Sequence, residues 1–349
     1  MMETILLDHT RNDEWNAFVQ RHPRGTLFHE TRWLDLCATY QKAKLHRLGF
    51  VADGALVGIF PFYVKRFGPL KAAASPFVVE NTPYMGPLAL DTDAARAIVP
   101  ALDDFLTRMR INFSRIILQG GQAEWGFVQR GYKETVRHTH VLDLSPGLDH
   151  IWAHMEGRAR TAIRKSEKSG VRCAFEDTPA VIDEYVKLAT AIYQRQGKLT
   201  PHPKGFYRDI CFGPLARNAK LVSARLDGEL IAGAIFVTYN GWLYYLDAVS
   251  DKEHNALCAP SGVQSFILQW AVGAGLQQYD FVGSDMPWIA RFKASFGGTL
   301  CEYAALEKAA PAWVLSLRKF YGGRLRPFIQ KVRTTIDTAS QGRLTSAPQ

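Results

Sequence analysis

Tyr279-Asp280-Phe281-Val282-Gly283-Ser284, followed after a short gap by Arg291-Phe292-Lys293-Ala294-Ser295-Phe296-Gly297-Gly298, is the stretch on which the reading of this chain turns. Apolar and aromatic residues from Tyr279 to Val282 predict a buried strand, and Gly283-Ser284 a turn. The second segment places two cations around a phenylalanine and ends on paired glycines. Backbone groups freed at a glycine turn, with a lysine in reach, suit a phosphate or a developing oxyanion. A strand, a turn and a solvated amphipathic segment would read the same way in isolation.

Working outward, the sequence before this region contains an internal echo. Leu48-Gly49-Phe50-Val51-Ala52-Asp53-Gly54-Ala55-Leu56-Val57-Gly58-Ile59-Phe60 reads as strand, Asp-Gly turn, strand. Residues 220–237 repeat that pattern around Asp227-Gly228, at a separation of 174 residues. Each hairpin is followed by more apolar strand material and then by a helix, over about 92–110 in the first half and 261–274 in the second. The economical architecture is two related α/β units, each built on a meander. Pro- and Gly-rich residues 69–90 are expected to form an irregular loop on the substrate side. Further strands are expected over 114–119 and 136–144.

Between the echoing units the spacing predicts one helix over about 149–169, ending at Gly170. Ile151, Met155, Ala159 and Ile163 fall on one face, and Arg160, Arg164 and Lys168 run at i, i+4, i+8 along the opposite one, with Lys165 beside them. Cations in the last turns also complement the helix dipole, and a solvated face is usually charged. Yet the all-positive stripe lacks the i, i+4 acid–base pairing of ordinary surface helices, which points to an anion. His150 and His154 share a helix face without a third ligand, and no metal site is expected. Neither a dinucleotide nor a P-loop glycine fingerprint occurs, nor a G-x-S-x-G elbow.

The chain has 349 residues, 47% hydrophobic and 12% aromatic, enough for two compact units. No apolar run approaches the ~18 residues of a membrane span, and Met1-Met2-Glu3-Thr4 lacks the start of a signal peptide, so a cytoplasmic location is expected. The five cysteines are widely spaced and odd in number, and are read as reduced thiols. Of the net charge of +9, six units lie after residue 310, where seven cations face the single acid Asp337. That basic tail carries Trp313, Phe320, Tyr321 and Phe328. It is expected to form a helix with a disordered end and to offer contact with anionic headgroups at the inner membrane face, or with nucleic acid.

The order Arg160-x-x-Ile163-Arg164-Lys165, Asp227-Gly228, Pro260, Tyr279-Asp280-Phe281-x-Gly283, Arg291-Phe292-Lys293-x-x-Phe296-Gly297 resembles the Fem-type branch of the GNAT-fold acyltransferases. Gly25-Thr26-x-Phe28, Trp33, Gly58-x-x-Pro61 and Tyr84-x-Gly86-Pro87 extend the resemblance over about residues 20–305. This branch includes aminoacyl-tRNA-dependent enzymes of peptidoglycan cross-bridges and acetyltransferase-like proteins of envelope assembly. The resemblance implies an α/β fold of two GNAT-like units in tandem, each with a mixed, mainly antiparallel sheet flanked by helices. The expected boundaries are 1–145, 146–310 and a tail 311–349. It further implies that Lys293 steadies the transferring carbonyl or a donor phosphate, and that Arg160 faces a substrate phosphate.

Three departures from the family pattern stand out. Cys37 occupies the place, four residues after Trp33, where cross-bridge enzymes tend to carry a lysine. No heptad arm is expected between 170 and 220, and the pyrophosphate signature R/Q-x-x-G-x-G/A is absent before the 261–274 helix. The expected reaction is N-acyl transfer from a thioester such as acyl-CoA, a co-substrate rather than a tightly bound cofactor, to an amine of an anionic, small or lipid-linked envelope precursor. Transfer from aminoacyl-tRNA in bridge formation is the first alternative, and a non-catalytic envelope-assembly partner the second. Candidate catalytic residues are Lys293, with Asp247, Tyr245 and Asp280 as proton acceptors. Candidate substrate contacts are Arg160, Arg164, Lys165, Tyr84, Ser284, Arg291 and Phe292.

Overall fold

The computed structural model describes residues 2–77, 82–197, 200, 202–311 and 313–314. The predicted basic helix of the tail lies outside them. The first half runs β1 (Glu3–Leu6), α1 (Asn12–Arg21), α2 (Thr31–Gln41), β2 (Lys44–Ala52), β3 (Ala55–Phe67), β4 (Leu70–Ser75), β5 (Leu88–Ala89), α3 (Thr92–Arg108) and β6 (Phe113–Ile117). After β7 (Lys133–Asp143) and the helices α4 (Leu148–His154) and α5 (Gly157–Lys168), the plan repeats. The second half comprises β8 (Arg172–Phe175), α6 (Val181–Arg195), α7 (Lys204–Phe212), β9 (Ala219–Leu226), β10 (Glu229–Tyr239), β11 (Trp242–Ser250), α8 (Ala259–Gly273) and β12 (Gln278–Asp280). It closes with α9 (Pro287–Ala294) and β13 (Thr299–Ala309).

The two Asp-Gly hairpins are real and alike. Asp53 and Gly54 have φ of 49° and 78°, Asp227 and Gly228 of 49° and 88°. Two consecutive residues at positive φ form the tight connection whose twist matches the paired strands. In both halves the hairpin continues into a third antiparallel strand, β4 or β11, then into a helix crossing over to a parallel strand: β6 beside β4, β12 beside β11. The irregular loop expected over 69–90 therefore contains two strands. Alternation in Leu70–Ser75 was obscured by three successive alanines, which carry little apolar signal.

The halves then exchange strands. β7 leaves the first half and pairs antiparallel with β12, while β13 leaves the second half and pairs with β6. β7 and β13 pair with each other from Thr299 opposite Val141 to Glu307 opposite Lys133. The result is one continuous sheet ordered β1-β2-β3-β4-β6-β13-β7-β12-β11-β10-β9-β8, with β5 on β3. Hydrogen bonding crosses the expected division at residue 145.

One face of the sheet carries a core common to both halves, with α1 and α2 from the first and α6 and α7 from the second. Phe28 meets Tyr244 edge-on across it, ring centroids 5.2 Å apart. On the other face α3 covers the first half, and α4, α5 and α8 the second. The helix expected over 149–169 is broken at Met155-Glu156, both extended, into α4 and α5. None of the five cysteines is in a disulfide, and Cys37 and Cys211 are buried. Among the described residues no helix is long and apolar enough to cross a membrane.

Candidate active site

The site is built where β12 ends in the middle of the sheet. Asp280, only 1% exposed, accepts hydrogen bonds at Oδ1 from Thr139 Oγ1 (2.6 Å) and the Val282 amide (2.8 Å), and at Oδ2 from the Tyr84 hydroxyl (2.8 Å). Its grip on the Val282 amide holds the chain in a bend in which Val282 and Gly283 both have positive φ, 51° and 66°. A β-branched residue in that region is a genuine outlier, maintained only because its surroundings over-determine it. Here the bend turns two successive carbonyls toward one point.

Lys293 occupies that point. It projects from α9, is 6% exposed, and donates from Nζ to the carbonyls of Val282 and Gly283, the latter at 2.5 Å. An ammonium has three N–H groups, so one donor remains for a ligand. Nζ also lies 5.8 Å from the centre of the Tyr245 ring. Burial pushes the lysine down to about 8, and the neighbouring Asp280 charge works in the opposite direction. Beyond Tyr245, a cleft of about 100 Å³ opens between β10, β11 and α8, lined by Ala232, Gly233, Tyr245, Val249, Pro260 and Val263. A larger cavity of about 190 Å³, with His22, Asp91, Gln119 and Trp125 in its wall, lies in the first half beside α3 and contains none of the candidate residues.

The other sequence candidates fall in different places. Asp280 is not presented to a diffusing amine: both carboxylate oxygens are engaged inside the core, and burial raises its pKa against those bonds. Tyr84 is likewise no substrate contact, because its buried hydroxyl is spent on Asp280. Tyr245 and Asp247, paired in the sequence reading, are separated by a bulge. Phe236 pairs with Tyr245 and Ile235 with Asp247, leaving Leu246 as an extra residue. Tyr245 packs with the α8 side, whereas Asp247 accepts from Tyr185 of α6 at 3.1 Å on the opposite face. Burial, then the Asp247 charge, pushes Tyr207 and Cys211 upward there. Ser284 is buried and bonded to His140 Nδ1 at 2.8 Å. Phe292 packs edge-on to Phe296, and Arg291 is exposed.

The cationic helix is brought to α9, though not as expected. Glu156 N donates to Ser295 O at 2.9 Å and Arg158 to Arg291 O at 2.6 Å, docking the start of α5 on α9. Arg160 turns back onto the last carbonyls of α4, bonding Trp152 O (3.1 Å), Ala153 O (3.2 Å) and Met155 O. Through Nη1 it satisfies the orphan acceptors of a helix end, so the substrate-facing role expected for it is replaced by an internal tie at this nitrogen. Arg164 lies over the Trp152 ring at 5.2 Å, and Lys165 is exposed. His150 and His154 are stacked 3.9 Å apart, and no metal-holding cluster occurs among the described residues. Thr139, His140 and Tyr185 were missed as site neighbours because isolated polar residues in a strand or helix carry no signal of their long-range partners.

A family model described as acetyltransferase (GNAT) domain matches residues 153–293, which hold α5, the bulge and Lys293. UDP-N-acetylmuramoylpentapeptide-lysine N(6)-alanyltransferase of Weissella viridescens is 25% identical over 126 residues, 36% of this chain and 37% of that protein. Lipid II:glycine glycyltransferase of Staphylococcus aureus (strain COL) is 25% identical over 212 residues, 55% of this chain and 48% of that one. The chain thus spans about half or less of the length of these curated relatives. The crystal structure of FemX superposes with a TM-score of 0.67 at 17% identity, covering 86% of this chain and 96% of that one. In its tandem GNAT-like repeat and in the sequence around Lys293, the chain is similar to the Fem-type transferases of the GNAT fold.

Proposed function

We propose that this protein is an aminoacyltransferase that joins an aminoacyl group, delivered as a tRNA ester, to an amine of a peptidoglycan precursor. The observation that carries the reading is Lys293, a buried ammonium with two donors committed to carbonyls and a third left over. The alanyl and glycyl transfer in the names of the relatives favours an aminoacyl donor over the thioester expected from the sequence. In such a transfer the amine attacks the ester carbonyl, the N–C bond forms, the C–O bond breaks, and the proton shed by the amine ends on the departing hydroxyl. Negative charge gathers on the carbonyl oxygen at the tetrahedral stage. A fixed ammonium in a water-poor site stabilises that charge more than water can, because it needs no reorganisation at the moment of reaction.

The test is turnover of alanyl- and glycyl-tRNA with a UDP-linked muramoyl pentapeptide or lipid II as acceptor, read by mass gain. Lys293→Ala is expected to reduce kcat by ~100- to 1,000-fold, the usual effect of removing one oxyanion donor. Turnover with acetyl-CoA and none with charged tRNA would replace the donor, and wild-type turnover by Lys293→Ala would remove the role of the lysine.

A further inference from the structure

We infer that the solvent face of α5, formed by Arg164, Lys165 and Lys168 with Trp152 beneath Arg164, is a docking surface for the RNA backbone of the donor. The inference rests on the aminoacyl-tRNA reading above and assigns the surface that the RNA uses.

Three observations carry it. The first is charge without partners. Arg164, Lys165, Lys168 and the nearby Arg172 are all exposed, and among the described residues none makes an ion pair, whereas Arg158 pairs with Glu156. At 100° per residue Arg164 and Lys168 lie within about 40° of each other, directly opposite the buried Ala159, Ile163 and Ser166. Glu167 is displaced to the flank toward Cys173, whose thiol is raised by burial and then by the Glu167 charge. Arg164 and Lys168 are one turn, ~6 Å, apart along the axis, comparable to the step between successive phosphates of one strand.

The second observation separates RNA from a lipid surface. A helix that lies on a membrane needs an apolar face to bury in it. The apolar face of α5 is consumed by the protein: Ala159 and Ile163 are in the core with α8, and Gly262 of α8 approaches so closely that a Cβ there would lie 2.5 Å from Ser166 Oγ. What remains outside is cationic, and the aromatic at its edge is a Trp152 ring with a guanidinium stacked at 5.2 Å. Cations for phosphates, with an arginine–aromatic pair for a base, are the recurring elements of single-strand and end recognition in RNA.

The third observation is rigidity and position. α5 is tied to α9, the helix of Lys293, by the bond from the Glu156 amide to the Ser295 carbonyl and by the bond from the Arg158 guanidinium to the Arg291 carbonyl. A strand held on α5 is therefore registered against the lysine that would meet its acylated end.

The experiment measures binding of the full chain to uncharged tRNA by fluorescence anisotropy at several salt concentrations. It compares wild type with Arg164→Gln/Lys165→Gln/Lys168→Gln and with a control of equal charge loss on the first half, Arg96→Gln/Arg108→Gln/Arg110→Gln. Unchanged melting temperatures establish that both variants fold. Each lost phosphate contact removes roughly 0.7–0.9 from the slope of log K against log salt, so the α5 variant is expected to lose about 2 in slope and at least ~10-fold in affinity at low salt. The control is expected to match wild type, and the KM for charged tRNA is expected to rise in the α5 variant with kcat retained. If wild type binds tRNA and the α5 variant binds it equally, with the same slope, the surface is wrongly assigned while the donor reading stands. If wild type binds no tRNA, the donor reading fails and the assignment falls with it. Loss of pelleting with phosphatidylglycerol vesicles in the α5 variant, with tRNA binding intact, would reassign the stripe to lipid headgroups and overturn the RNA proposal.

Discussion

Tyr84 in the first half donates its hydroxyl hydrogen to Asp280 Oδ2 in the second at 2.8 Å, and both residues are buried. The bond joins residues 196 apart in sequence, at the point where the two halves share their sheet. It couples the loop before α3 to the carboxylate that shapes the bend under Lys293. Tyr84→Phe removes the donor and leaves one buried carboxylate oxygen unsatisfied, at a cost of about 1–3 kcal/mol. Denaturant unfolding checks this, and a loss under a few tenths of a kcal/mol would show that the bond does not hold the halves together.

The electrostatics of Lys293 set a pH dependence. Its pKa lies at about 8, lowered by burial, so an activity that needs the ammonium declines as pH rises through about 8 and not near the ordinary lysine value. Asp280 partly opposes that shift. Asp280→Asn removes the opposing charge, so the basic limb of the kcat profile moves to lower pH. Lys293→Arg, which stays charged throughout, loses the limb where it retains turnover. An unmoved limb in both variants would assign it to another group.

For stability, the sign for Asp280 runs the other way from a salt-bridged acid. Its carboxyl is raised in the fold by burial, so the folded state holds a proton that the unfolded state has released. Its contribution to stability is present at low pH and is lost as pH climbs from the unfolded value toward the raised one. Asp280→Asn is expected to flatten that part of the stability–pH curve, measurable as melting temperature across the acidic range.

A backbone contact makes Gly25 indispensable. A Cβ built there would stand 1.9 Å from the Val19 carbonyl oxygen, an approach that only displacement of α1 or of the following turn could relieve. That turn holds Thr26 against His29 Nδ1 at 2.8 Å, and His29 Nε2 against Gly86 O at 3.0 Å. Gly25→Ala is expected to destabilise by ~2 kcal/mol or more, the scale of a forced backbone shift in a packed region. Thermal melting of the variant at wild-type temperature would refute the clash.

Arg160 gives the cleanest separation of structure from binding. Because its guanidinium caps the end of α4, Arg160→Met is expected to cost about 1 kcal/mol of stability while leaving the KM for both substrates unchanged. A selective rise in KM without loss of stability would return the arginine to the ligand.

The sequence by itself determined whatever local chemistry encodes. The Asp-Gly turns at 53–54 and 227–228 specified the hairpins and hence the repeat, because few residues accept two successive positive φ values. The 3.6-residue period placed Ala159 and Ile163 inward and Arg164 and Lys168 outward, and the R-F-K segment marked the lysine. Only the tertiary structure decided what each residue faces. The exchange of β7 and β13, the bulge at Leu246 that parts Tyr245 from Asp247, and the use of Tyr84 and Arg160 as internal ties depend on partners far along the chain. A pairing over 196 residues leaves no trace in periodicity or turn chemistry, since its energy exists only once the sheet has brought both ends together.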